Sequence, residues 1–205
     1  LMSGIIAQNS GRHTGLVKTS SGGGVWNLLK TLTASGDADL SFVDGADGVD
    51  FSSYDEHVFK FININPADDG AEFSFNLSTD GGSNYNVTKT SSFIEIYHFE
   101  NDGNAGMGYG SSHDLAQGTG FQKLTSNQGN LSDESGSGEL KLFGLNSTTF
   151  IKHYISDMNT VYFNEYQQQD KCAGYGNTTS AVDAVQFALT SGGNFDGIIS
   201  LYGIS

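Results

Sequence analysis

Residues 57–79 read HVFKFININPADDGAEFSFNLST. In the second half Phe73, Phe75 and Leu77 alternate with Glu72, Ser74 and Asn76. That is the period-2 pattern of a strand with one buried and one wet face. In the first half Phe59 and Phe61 share one face while Val58, Ile62 and Ile64 share the other, which suits a strand buried on both sides. Pro66, the single proline, opens the turn, and Asp68-Asp69-Gly70 tolerates turn geometry. The stretch is read as an antiparallel hairpin at the centre of a β-sandwich.

Further strands follow outward from it. Residues 25–33, VWNLLKTLT, place Trp26, Leu28 and Leu32 on one face and Leu29 on the other. Residues 37–43 put Leu40 and Phe42 in register, and 85–90 make a short strand. In 92–99, SFIEIYHF, Ile94 and Ile96 oppose Phe93, Tyr97 and Phe99, so both faces are apolar. Strands return at 139–145, 148–156, around VYFNEY and KCAGYG, at 182–189 and in the closing IISLYGI. Between them, residues 100–138 are rich in Gly, Ser, Asn and Asp and read as long irregular loops forming a variable contact surface. The expected fold is all-β: an antiparallel, jelly-roll-like β-sandwich of about ten strands over residues 25–205, with an extended N-terminal arm over residues 1–24. No fixed period recurs, which excludes a propeller or β-helix.

Composition narrows the function classes. Twenty-three Asp+Glu face nine Lys+Arg, a net charge of −14. So few basic residues do not build the positive face that nucleic acid requires, and no nucleic-acid partner is expected. No apolar run approaches the ~18 residues of a membrane span, so no membrane insertion is expected. The first 18 residues, LMSGIIAQNSGRHTGLVK, lack the charged start and apolar core of a signal peptide. Cys172 is the single cysteine and reads as a small buried apolar group, with no intramolecular disulfide and no cysteine metal cluster.

Candidate chemistry is sparse, and neither catalytic residues nor a cofactor nor a metal site is assigned. Asp44, Asp47 and Asp50 could offer oxygens to calcium, but their spacing is not that of an EF-hand, and a solvated loop is the simpler reading. His98 and His153 lie on strands and could face one another. Ser111, Ser112, His113 and Asp114 are neighbours in sequence, whereas triad members converge from separate elements. Glu72 and Glu95 are strand carboxylates that could flank a sugar bond, yet outward glutamates on a wet face need no catalytic explanation. Eight tyrosines, among them Tyr97, Tyr162 and Tyr166, could supply a stacking platform for sugars. The chain is expected to be non-enzymatic.

Four stretches carry a family resemblance: VFKFININPADDGAEFSFNLSTDGGSNYN from Val58, SGELKLFGLNSTTFIKHY from Ser137, AGYGNTTSAVDAVQFAL from Ala173 and SGGNFDGIISLYGI from Ser191. Together they resemble a family of small β-rich virion proteins of tailed phages of marine bacteria. The likeness runs from about residue 56 to the end and lies in strand framework and turns. It implies a virion location, on the particle exterior as capsid decoration or tail or fibre component. It also implies partners: copies of the chain itself as a homo-oligomer, taken as a trimer, and other virion proteins docked through the arm. The alternative is a carbohydrate-binding host-attachment module recognising a host surface glycan.

Overall fold

A computed structural model describes residues 24–204. Nearly all of the expected arm, residues 1–23, lies outside the described residues. Twelve strands form two antiparallel sheets. They are β1 (Trp26–Asp37), β2 (Asp39–Val43), β3 (Glu56–Pro66), β4 (Phe73–Ser78), β5 (Lys89–Phe99), β6 (Ala105–Tyr109), β7 (Gln122–Lys123), β8 (Gly136–Phe143), β9 (Lys152–Tyr162), β10 (Tyr166–Gly176), β11 (Ala184–Leu189) and β12 (Phe195–Ile204). The large sheet has eight strands in the order β1-β12-β3-β8-β9-β10-β5-β6, and the small sheet has four in the order β2-β11-β4-β7. The all-β sandwich is therefore as the alternating apolar pattern requires.

The central stretch is not a hairpin. β3 pairs with β12 and β8 in the large sheet, whereas β4 pairs with β11 and β7 in the small one. The turn after Pro66, with Gly70 at φ 69°, carries the chain from one layer to the other. A hairpin would set the two phenylalanine rows side by side. The crossing sets them face to face, and the Phe61 and Phe73 rings meet edge-on at 5.2 Å. Phe187 of β11 lies among Phe42, Phe59, Phe61 and Phe73, with centroids 5.0–6.1 Å away. This aromatic centre continues into a wider apolar core that includes Leu77, Leu140, Ile199 and Leu201.

Local irregularities move two apolar sets off the faces that strict alternation assigns them. Asn63 has φ 52° and Gly197 has φ 141°, and the registers of β3 with β8 and with β12 slip there. The bulge returns Ile64 to the core beside Phe59 and Phe61, leaving Ile62 exposed. At Gly197 a Cβ would stand 2.7 Å from Ile64 Cδ1, so the approach of the two strands depends on glycine. On β1 a register shift between Leu28 and Lys30 turns Leu29 and Leu32 inward and leaves Trp26 and Leu28 exposed.

The small sheet covers only part of the large one. Residues 110–135 cover much of the rest, and the interior there is polar. Gln122, Thr125, Ser126, Gln128, Gln168 and Asp170 are all buried. Ser126 N–H donates to Asp170 Oδ2 at 2.7 Å, Tyr154 Oη donates to Gln122 Oε1 at 3.2 Å, and Gln128 Nε2 donates to the Ile64 carbonyl at 2.5 Å. Within the segment read as a variable contact surface, residues 122–129 thus pack inward, tied by side-chain hydrogen bonds that composition does not reveal, while much of the rest of the segment is exposed. Likewise Ser74 and Asn76, expected on a wet face, are buried. Asn76 Nδ2 donates to the carbonyls of Tyr85 and Thr119, from crossing segments laid over β4.

Candidate functional site

The densest ionisable cluster gathers around His113. Its Nε2 lies 3.3 Å from Glu72 Oε1, and its Nδ1 lies 3.1 Å from Glu95 Oε1. Glu72 sits at the entry to β4, Glu95 on β5 of the other sheet, and His113 on the loop after β6. The imidazole ring is buried and stacks on Phe93 with centroids 5.1 Å apart. Lys123 of β7 reaches Glu72 Oε1 at 2.7 Å and the Ser112 carbonyl at 3.1 Å. Thr190 Oγ1 donates to Glu72 Oε2 at 2.6 Å.

Two carboxylates separated in sequence are thus brought together: Glu72 lies off the wet face that alternation assigned it, and Glu95 lies on the same side of its strand as Phe93. Burial by itself raises the Glu72 pKa. Hydrogen bonds from His113, Lys123 and Thr190 outweigh it and hold that pKa at about 2. A general acid needs the opposite shift, towards working pH. The imidazole also fills the gap between the carboxylates that a glycosidic bond would need. Glu72 is ionised at neutral pH and hydrogen-bonded at both oxygens, so the cluster ties the two sheets to the loop. Of the neighbours Ser111, Ser112, His113 and Asp114, Ser112 Oγ lies 3.2 Å from His113 Nδ1, whereas Asp114 accepts from Tyr109 Oη at 2.6 Å.

The other sequence candidates separate. Asp44 Oδ1 accepts from Phe51 N–H at 2.8 Å, and Asp47 faces Lys30 at 3.5 Å. Asp50 Oδ1 accepts from the backbone and hydroxyl of Ser52 and from Ser53 N–H, and bonds from Ser53 and Ser52 lower its pKa to about 2. Asp44 and Asp50 brace the loop they lie on and Asp47 pairs with β1, and among the described residues no group of three potential ligands gathers for a metal. His98 contacts Asp102 at 3.1 Å, while His153 packs against Tyr175. β10 separates β5 from β9, and the two histidines sit at opposite ends of their strands. Tyr97, Tyr162 and Tyr166 do meet, with Phe99 and Phe163, in one aromatic stack at the β9–β10 turn. Cys172 is buried as expected, and burial pushes its thiol up to about 12.

Two buried cations escaped the sequence reading. Lys89 Nζ contacts Asn76 Oδ1 and donates to the Val87 carbonyl at 2.8 Å, and burial brings its pKa down to about 7. Lys152 Nζ donates to the carbonyls of Ser147 and Phe150 at 2.8 and 2.7 Å. Both face Gly176 in the register of β10. A lysine at a strand end reads as solvated, so no pattern marks either.

On the solvent side of the large sheet, registered partners make two contrasting rows. One runs Leu28, Tyr202, Val58, Lys141, Ile155, Ala173, Ser92 and is mostly apolar, with Val58 itself buried beneath its neighbours. The next runs Ser200, Lys60, Glu139, Asp157, Lys171, Ile94, Tyr109 and carries ion pairs between Lys60 and Glu139 and between Lys171 and Asp157. A shallow concavity lined by Phe143, His153, Ile155, Ala173 and Tyr175 opens beside the apolar row.

Residues 53–102 match a family model described as chromosome segregation protein Spc25. The matched segment spans β3, the crossing turn, β4 and β5, about a quarter of the chain. Comparison with curated proteins and with solved structures gives no match. The stretch from Val58 that anchored the likeness to phage virion proteins lies inside the matched segment, and there the match is to a chromosome segregation family. That overturns the virion reading and what came with it: the particle location, the docking of an arm onto virion proteins, the trimer of copies and the alternative of a host-glycan module.

Proposed function

We propose that this chain is a non-catalytic module that binds a protein partner through the solvent side of its eight-stranded sheet. The observation that carries the reading is the apolar row beside the ion-pair ladder. Within that row Leu28 is 58% and Ile155 52% exposed, while Tyr109, 57% exposed, ends the ion-pair row and Met107, 73% exposed, lies on the edge strand in a neighbouring row. Neighbouring exposed apolar groups on one face mark contact sites, and charged rows beside them orient a partner. The ionisable cluster around His113 supports the same reading, because its groups satisfy one another.

The match over residues 53–102 favours a setting in chromosome segregation. With a net charge of −14, the contact there would be with protein, since an acidic chain is repelled by DNA phosphates. The test is affinity capture of partners by the full chain, reconstitution of the purified pair, and amide hydrogen exchange. Protection across β9 and β10, with loss of the complex on Ile155→Glu, is the expected result. A complex that leaves this face unprotected overturns the reading. A captured set without any segregation protein removes the proposed setting.

A further inference from the structure

The eight-stranded sheet ends in β6, and this edge differs from the other three. The β1 edge is broken by two register shifts and carries Lys30 and Asp37. The β2 edge begins with Asp39, which accepts from Gln186 at 3.0 Å, and β7 is two residues long. Such charges, bulges and short lengths are how proteins keep strand edges from pairing with other chains. β6 reads AGMGY, with no charge, no proline and an unbroken register against β5 from His98↔Ala105 to Ile94↔Tyr109.

Its backbone polarity follows from the bonds that bracket it. Phe99 N–H donates to the Asn104 carbonyl at 2.9 Å, and Gly110 N–H donates to the Phe93 carbonyl at 3.0 Å. In an antiparallel pair hydrogen-bonded positions alternate, so Gly106 and Gly108 bond to β5. Ala105 and Met107 therefore direct N–H and C=O outward, as Tyr109 directs its N–H. The Met107 and Tyr109 side chains stand on the solvent face, registered with Ile96 and Ile94. Both ends are acidic: Glu100 and Asp102 lie exposed before the strand, and Asp114 after it.

We infer that the β6 edge takes up an extended segment of a partner protein as a ninth strand. The segment carries apolar side chains at alternate positions, which continue the strip of Ile94, Met107 and Tyr109. It carries lysine or arginine at its ends, which face Glu100, Asp102 and Asp114. Backbone bonds to Ala105 and Met107 hold it, and the apolar strip selects its sequence. This deepens the proposed function and rests on it.

The test uses the full chain and a fluorescein-labelled synthetic peptide that alternates valine with threonine between paired lysines. Saturable binding that weakens with added salt is expected. Met107→Pro removes an outward N–H while sparing the bonds to β5, and is expected to weaken binding by at least about tenfold with an unchanged melting midpoint. Should that variant melt early, the same peptide with its alternate amides N-methylated is applied to the native chain, and the same loss is expected. No saturable binding, or equal binding by Met107→Pro or by the methylated peptide, overturns the inference. If the edge fails while Ile155→Glu still releases the partner, the contact-module reading stands without it.

Discussion

Glu72 of the small-sheet layer and Glu95 of the large sheet are held together through one imidazole, His113 lying 3.3 Å from the first and 3.1 Å from the second. Neither carboxylate touches the other's strand in the hydrogen-bond ladder. The link crosses the sandwich and fastens the loop after β6, so its loss is expected to loosen the covering plug before the aromatic core.

Glu72→Gln keeps the shape and removes the charge that His113, Lys123 and Thr190 bond to. Weakening bonds to a charged, part-buried group is expected to cost ~1–3 kcal/mol. A lowered urea midpoint with an unchanged slope checks it. Hydrogen exchange should speed first in residues 110–125, and an unchanged midpoint would show that the cluster ties nothing.

Phe75 is fully buried and meets the Tyr154 ring edge-on at 5.1 Å. Phe75→Ala leaves a cavity between the sheets and is expected to cost ~3–5 kcal/mol. Denaturant unfolding measures it, and a loss under about 1 kcal/mol would mean that the site collapses around the smaller side chain.

Lys89 has its pKa brought down from 10.5 to about 7 by burial, and burial lowers Lys152 as well. Between about pH 7 and 10.5 the unfolded chain binds a proton at Lys89 that the folded chain does not. Stability therefore rises with pH through this window. Melting midpoints taken across it should climb, and the climb should shrink in Lys89→Met. A midpoint that falls throughout, in native and variant alike, would contradict the assignment.

At the acid end two groups act in opposite directions. Glu72, held at about 2 against 4.5, contributes stability that is present above pH 4.5 and lost as pH falls towards 2. Asp170, raised by burial to about 6 against 3.8, contributes stability at low pH that is lost as pH rises towards 6. Asp170→Asn should remove the second limb only. It should also leave one of the donors from Ser126 and Gln168 unmatched, at ~1–3 kcal/mol. Midpoints between pH 2 and 6 separate the two limbs.

Much of the fold was legible because phenylalanine alternation has one physical meaning. Phe73, Phe75 and Leu77 can bury together only on one side of a pleated strand. Strand pairing was less legible. Whether β3 and β4 pair or face each other depends on the layer to which the turn after Pro66 leads, and Pro-Ala-Asp-Asp-Gly suits either course. The bulge at Asn63 was hidden too, because a left-handed asparagine looks like any polar residue in a strand. The His113 cluster was illegible for a further reason. Its ionisable members come from four separate segments, and although Glu95 alternates with Phe93 and Tyr97, nothing local marks which groups it meets there.

The amino-acid order alone determined an all-β sandwich, a net charge of −14 and a lone buried cysteine. Those follow from period, composition and charge, which each residue carries wherever it lies. Tertiary structure alone decided which strands share a sheet, that residues 122–129 form a polar plug, that two lysines are buried among carbonyls, and that among the described residues β6 is paired along one side only. These depend on what covers a residue, and the covering atoms come from chain segments far away in sequence.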